Sequence, residues 1–213
     1  MHQEPAGPTY QQVIQDLRTA YDRKVDERAQ RAVAPWKWAE RTSFLERLNA
    51  EKKQTLLELG CGAGHDSLFF QEHGLTVSCI DLSPAMVEHC RAHGLDAHVM
   101  DFAHLTFAPA SFDALYAVNS LLHLPKADFP GILAGLNRLL RPNGLFYLGQ
   151  YGGVDREGVW EGDHYEPKRF YARFRDDQIQ TLITQFFDFV SFRAVPTEDG
   201  SEGHFQSMIL RKR

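Results

Sequence analysis

Two rhythms of apolar positions run along this chain. In residues 10–30, Val13, Ile14, Leu17, Tyr21 and Val25 recur at helical spacing among charged neighbours, which predicts an amphipathic helix. Pro35 ends that pattern, and a second helix is predicted over 36–48 with Trp38, Leu45 and Leu48 as apolar anchors. From residue 54 the rhythm shortens. Leu56, Leu57 and Leu59 form a brief apolar run of the kind that makes a buried strand. Similar runs predict strands over 76–80, 96–100, 111–118 and 145–148. Helices are predicted between them, over 65–73 with Gly74 as its stop, from Ser83 and Pro84 to Gly94, and over 129–140. A tight turn is predicted at 141–144, a helix over 176–187, and strands over 189–195 and 204–210 joined by the turn-rich 196–203. Alternating strands and helices predict a parallel α/β sheet, with the last two strands as an antiparallel pair. Residues 150–174 keep no period, but they hold Trp160, His164, Tyr165, Phe170 and Tyr171 and read as an ordered cap. Residues 1–9, with two prolines and a glycine, read as loose.

The stretch after the first strand narrows the chemistry. Gly60, Gly62 and Gly64 alternate with Cys61 and Ala63, and glycine lets a turn approach a ligand closely. Strand, glycine turn and helix together make a nucleotide-type site. A dinucleotide fingerprint fails when counted from Gly60, because its third glycine falls on His65; counted from Gly62 it falls on Ser67. Glu58 just before the glycines repels a pyrophosphate and suits a ligand that carries positive charge. Asp81 ends the second strand about twenty residues on, where an acid can accept hydrogen bonds from ribose hydroxyls. Leu82 and Met86 are in position to pack an adenine face. The plainer readings are a glycine turn with no ligand and an ordinary acid at a strand end.

The run from Glu58 to Gly64 resembles the first motif of class I methyltransferases that use S-adenosylmethionine. Residues 119–122 correspond to that family's fourth motif, and residues 139–146 resemble the segment before its fifth strand. The resemblance implies a doubly wound, seven-stranded, mostly parallel α/β sheet with a C-terminal antiparallel hairpin and helices on both faces. It implies a helical lid over 1–50, a Rossmann-like domain over 51–213 and an acceptor-side cap at about 150–175. Glu58, Gly60, Cys61, Gly62, Gly64, Asp81, Leu82, Met86, Asp101, Phe102 and Asn119 are the implied cofactor residues. In the family an acid at Asp101 receives the adenine amino group, which an acceptor-only carboxylate suits. Tyr21, Trp36 and Arg41 from the lid, and Trp160, Asp163, His164 and Tyr165 from the cap, are the candidates for the acceptor side; alternatively the aromatics are simply core.

Methyl transfer from a sulfonium needs chiefly an in-line arrangement of donor and acceptor, and such positioning supplies on the order of 7–11 kcal/mol. His123, just past the fourth strand, is the candidate base if the acceptor must lose a proton; otherwise it shapes the pocket. Between residues 155 and 166 the acids Asp155, Glu157, Glu161, Asp163 and Glu166 face one base, Arg156. With the interleaved aromatics they suggest a cationic or amine-bearing acceptor. The other reading is a solvated loop neutralised by Lys168 and Arg169.

Composition excludes more than it adds. A net charge of −5 with no basic stripe argues against a nucleic-acid grip. No segment reads as a signal peptide or a membrane span. Cys61, Cys79 and Cys90 form no CxxC pair and read as buried thiols of a reduced, cytoplasmic protein. Ten histidines raise a metal reading, but no H-E-x-x-H pair appears and metal is set aside. The expectation is therefore a monomeric or homodimeric enzyme that methylates a small molecule and releases S-adenosylhomocysteine. A nicotinamide-dependent oxidoreductase and a non-enzymatic cofactor-binding protein are the alternatives.

Overall fold

The computed structural model of the chain describes residues 7–197 and 202–213. The loose start and the turn at 196–203 therefore lie partly outside the described residues. Helix α1, Tyr10–Asp22, starts from a Thr9 capping box closed by Gln12. The single helix expected over 10–30 is broken after Asp22, and α2 is a separate short helix, Val25–Ala29. Helix α3, Pro35–Ala50, has proline at its first position.

The α/β core follows in the expected order: β1 Thr55–Leu59, α4 His65–Glu72, β2 Thr76–Asp81, α5 Pro84–Ala92, β3 Asp96–Val99, β4 Phe112–Val118, α6 Phe129–Leu139 and β5 Leu140–Gly152. A 3-10 turn, Leu121–His123, follows β4. After β5 come β6 Arg156–Val159, β7 Phe170–Arg173, α7 Asp176–Ile183, β8 Phe187–Val195 and β9 His204–Lys212. The main sheet has the order β3-β2-β1-β4-β5-β9-β8. β1 to β5 are parallel, and β9 runs antiparallel between β5 and β8. That is the doubly wound, seven-stranded sheet with a C-terminal hairpin.

Side chains alternate between two covered faces, as strand geometry requires. Leu57, Leu59, Leu115, Phe146 and Leu148 pack with α6 and α7. Leu56, Tyr116, Leu145 and Tyr147 pack on the other face with Phe44 and Leu48 of α3 and Phe70 of α4. No helix among the described residues is long and apolar enough to cross a membrane.

Two elements differ from expectation. Residues 141–144 do not turn away from the sheet but form a bulge in the first part of β5, where Phe112 pairs with Leu140 and Ala114 with Leu145. Arg141 donates to Asp113 at 3.0 Å across that bulge. The cap contains a two-stranded antiparallel sheet of β6 and β7, which lacks the periodic apolar signal because only β7 turns a face inward.

A buried carboxylate joins α3 to the far half of the sheet. Glu40 accepts hydrogen bonds from Tyr147 of β5 at 3.1 Å, Ser207 of β9 at 2.5 Å and Arg193 of β8 at 2.7 Å. Replacing it leaves the buried Tyr147 and Ser207 hydroxyls with only each other, at 3.3 Å, so one donor loses its acceptor. Glu40→Ala is expected to lower unfolding stability by about 2 kcal/mol, read as a fall in denaturant midpoint. Arg193→Ala, which removes a half-exposed partner, is expected to cost less than about 1 kcal/mol.

Candidate functional site

The three glycines after β1 all lie in the left-handed region, with φ of 76°, 52° and 81° at Gly60, Gly62 and Gly64. Gly60 and Cys61 both donate to the Ile80 carbonyl. Gly62 N donates to Asp81 Oδ2 at 2.8 Å, and Ser83 N donates to Asp81 Oδ1 at 2.9 Å. One carboxylate thus pins the loop after β1 to the loop after β2. Burial raises the Asp81 pKa, and the two backbone donors and Arg28 oppose that rise. The glycines differ in purpose. A Cβ on Gly64 would press on Leu95 and Cys90, so its role is packing against α5. A Cβ on Gly62 would stand 3.6 Å from the Arg28 guanidinium at the edge of the cleft.

A cleft opens over the C-terminal ends of β1, β2 and β4, the place where open α/β sheets bind ligands. Its floor and sides carry Gly60, Gly62, Asp81, Leu82, Phe102, Asn119, Ser120 and His123. Helix α1 roofs it with Tyr10, Ile14, Leu17 and Tyr21. Arg28 of α2 completes the wall. Its Nε is buried with no hydrogen-bond partner, while one terminal nitrogen donates to the Tyr165 hydroxyl at 3.4 Å. Asn119 Oδ1 and Ser120 Oγ in the same wall are also buried and unpartnered. Unsatisfied buried groups of this kind mark a place for a ligand or ordered water. Arg28 was not legible as a site residue, since it stands far upstream of the glycine motif on a helix whose break the sequence conceals.

His123 lies in the cleft wall with both ring nitrogens engaged. Nδ1 is 2.7 Å from the Phe170 carbonyl, which can only accept, so Nδ1 carries the proton. Nε2 therefore accepts from the Tyr21 hydroxyl at 2.9 Å. Tyr21 in turn accepts from Arg169 at 3.1 Å, and Arg169 grips Asp163 with Nε at 2.8 Å and a terminal nitrogen at 2.9 Å. Burial pushes His123 down to about 3, aided by the charges of Arg169 and Arg28, so the imidazole is neutral. Burial would raise Asp163, but the Arg169 hydrogen bonds overcome it and hold the carboxyl at about 2. The chain from Asp163 to His123 knits the cap, α1 and the 3-10 turn together, and it leaves His123 no free lone pair for an acceptor proton.

The other expected residues are placed as follows. Glu58 is buried beneath the loop and accepts from the Ser67 hydroxyl of α4; burial, then Asp66, raise its pKa well above the usual carboxylate value, and it does not line the cleft. Cys61 and Met86 are buried behind the cleft surface. Asp101 accepts from Tyr10 at 3.1 Å and from Ala103 N at 2.8 Å, at the edge of an adjoining groove, while Phe102 enters the cleft itself. Trp36 packs on Phe205 at 4.6 Å between ring centroids, and Arg41 is buried between Trp38 and Phe69 with Asp66 as its partner. Neither faces the cleft. Trp160 and His164 are exposed on the cap, whereas Tyr165 is buried under the Arg169 guanidinium at 3.6 Å.

The acidic run does not offer free carboxylates to the cleft. Asp155 pairs with Lys126 and Arg175, Glu161 with Lys168, and Asp163 with Arg169. The sequence also holds a histidine pair one helical turn apart, His89 and His93 on α5, with ring centroids at 4.4 Å. No third metal-ligating side chain joins them among the described residues, where the one such cluster is Cys61, Cys79 and Cys90.

Comparison with known proteins agrees with this architecture. Residues 56–144 match the family model described as a methyltransferase domain. An S-adenosyl-L-methionine-dependent Diels-Alderase of Talaromyces variabilis is 34% identical over 123 residues, covering 53% of this chain and 40% of the relative. A ubiquinone biosynthesis O-methyltransferase of Xanthomonas oryzae is 34% identical over 100 residues, covering 44% of this chain and 41% of the relative. The matched part thus spans less than half the length of these curated relatives. The crystal structure of 1,6-didemethyltoxoflavin-N1-methyltransferase from Burkholderia thailandensis, with its substrate and S-adenosylhomocysteine bound, superposes with a TM-score of 0.75 at 21% identity. That superposition covers 99% of this chain and 93% of the other. The sheet order and the superposition give this chain the class I, Rossmann-like methyltransferase fold, and its central part, residues 56–144, matches the methyltransferase-domain model.

Proposed function

We propose that this chain transfers a methyl group from S-adenosylmethionine to a small-molecule acceptor. The observation that carries the reading is the pair of opposite charges in one cleft: the Asp81 carboxylate at the glycine loop and the Arg28 guanidinium above Gly62, whose Nε is buried without a partner. Asp81 suits the ribose hydroxyls, and Arg28 suits the carboxylate of the donor's amino-acid arm. One similar protein is named as dependent on S-adenosyl-L-methionine, and the superposed methyltransferase holds S-adenosylhomocysteine. The donor supplies a methyl group on positively charged sulfur, whose departure leaves a neutral thioether. The chain's own part is to bind, align and exclude water.

With His123 neutral and engaged at both nitrogens, the site suits an acceptor that is already nucleophilic, or that loses its proton before or after methyl transfer. Nothing in the paired acids of the cap favours a cationic acceptor. The apolar roof of α1 and the rings of Tyr21 and Tyr171 beside His123 suit a flat small molecule. Three free buried thiols fit a reducing compartment such as the cytoplasm. A second reading follows from the Diels-Alderase relative: the cleft holds the donor while the chain promotes ring closure. Incubation of the purified protein with donor labelled in its methyl group and a metabolite panel separates the two. Methyl transfer releases S-adenosylhomocysteine with each turnover, whereas ring closure leaves the donor intact.

Two variants test the residue assignments. Asp81→Ala is expected to weaken S-adenosylhomocysteine binding at least about tenfold by calorimetry, because charged hydrogen bonds to two hydroxyls are worth roughly 1.5–3 kcal/mol. Arg28→Met is expected to weaken S-adenosylhomocysteine about tenfold but to leave 5′-methylthioadenosine, which lacks the amino-acid arm, nearly unchanged. Equal losses for both ligands would remove Arg28 from the carboxylate role.

His123 gives a pH prediction. Its folded pKa is far below the usual histidine value, so it stays neutral across the working range. The rate profile between about pH 5 and pH 8 should show no limb near about 6.5 that disappears in His123→Asn. Tyr21→Phe and His123→Asn should lower turnover by similar factors, since each breaks the same hydrogen bond. A His123-dependent limb would instead make the imidazole a working base.

A further inference from the structure

The fold assembles what the sequence keeps apart. Cys61 sits in the glycine loop, Cys79 in β2 and Cys90 in α5, yet their sulfur atoms all lie within 4.8 Å of one another. The Cys61 and Cys90 sulfurs are 3.8 Å apart. All three are free and buried. Val87, Leu95 and Ala97 pack against them.

We propose that this cluster binds a soft monovalent cation, with Cu(I) as the representative ion. Thiolate sulfur selects soft ions, whereas magnesium and calcium require oxygen ligands. Structural zinc takes four protein ligands, and here three sulfurs are the whole donor set among the described residues. A trigonal or digonal soft ion fits three buried donors. Binding replaces thiol protons, which leave to solvent; copper remains Cu(I) and no electrons move.

The site stands directly behind the cofactor loop. Cys90 donates its S–H to the Gly62 carbonyl at 3.3 Å, and Cys61 lies between Gly60 and Gly62. An ion on these sulfurs removes that S–H bond and draws Cys61 toward the cluster. Occupancy and donor binding are therefore coupled, and the coupling must be reciprocal. The loaded protein should bind S-adenosylhomocysteine more weakly than the free one.

The experiment is an anaerobic titration of the reduced full-length chain with Cu(I), competed against the chromogenic chelator bathocuproine disulfonate. Wild type is expected to hold one equivalent with sulfur-to-copper charge-transfer absorption. Cys79→Ala is expected to weaken that binding at least about tenfold, since even losing support around a metal ligand costs 10–100-fold. Thermal unfolding and S-adenosylhomocysteine binding without copper check that the variant is folded; where it is not, Cys79→Ser makes the same comparison. A variant with both His89→Gln and His93→Gln should retain the ion. The proposal is overturned if wild type yields all copper to the chelator, if the Cys79 variants bind like wild type, or if the histidine variant loses the ion. These binding readouts do not depend on methyl transfer, so a failure of that reading leaves them intact.

Discussion

The carboxylate of Asp81 is the constraint on which the cleft depends. Its two oxygens take the backbone donors of Gly62 and Ser83, and so fix two βα loops at one point. The influence passes outward through Ser83, whose hydroxyl caps α5 by accepting from Met86 N at 3.1 Å and donates to Asp22 at the end of α1. A single line of bonds thus joins the glycine loop, the second loop and the roof. The cost is a buried acid, and burial raises its pKa. Arg28 supplies the nearest compensating charge, which places a guanidinium over the loop even without a ligand. Removing Asp81 would affect the ligand and the cradle together.

Ion pairs in the cap differ sharply in what they can contribute. Asp163 and Arg169 are both largely buried and meet through two parallel hydrogen bonds; breaking such a pair costs on the order of 3–5 kcal/mol because a charge is left unpaired inside. Glu161 with Lys168 and Asp155 with Lys126 are exposed pairs of the sort worth at most about 1 kcal/mol. The acidic run is therefore one structural lock and several solvated pairs. Its negative charge looks like a cation filter only when the chain is read as a line, because the cations that pair with Asp155, Glu161 and Asp163 come from other parts of the chain or from several residues away.

Much of the architecture was legible for a simple reason. Parallel strands covered on both faces must be short apolar runs, and Leu56 to Leu59 and the β-branched run ending at Asp81 announce themselves. The glycines announced themselves too, since their positive φ angles leave little choice of residue. What escaped was set by long-range contacts. Arg28 acquires its place from the break between α1 and α2, and the three cysteines meet only when β1, β2 and α5 pack. The β6–β7 hairpin escaped because its outer strand is exposed and carries Arg156, Glu157 and Gly158. Trp36 and Arg41 were misplaced for the opposite reason: a prominent aromatic and a cation can serve packing alone, and Arg41 is enclosed by two rings and one acid.

Under the proposed reading, the roof must part to admit ligands and then hold them in line. Tyr10 to Asp101, Tyr21 to His123 and Asp22 to Ser83 are its polar ties, one at each end of α1 and one over the acceptor side. Each such bond contributes on the order of 1 kcal/mol net, so opening the polar seam costs a few kcal/mol, to which the burial of Val13, Leu17 and Ala20 adds. A cost of that size permits transient opening while the closed form dominates. The neutral state of His123 belongs to the same design. A protonated ring would lose the lone pair that accepts from Tyr21, so the burial that spoils His123 as a base is what keeps the roof tied. Base strength and lid closure make opposite demands on one imidazole, and in this chain the geometry favours closure.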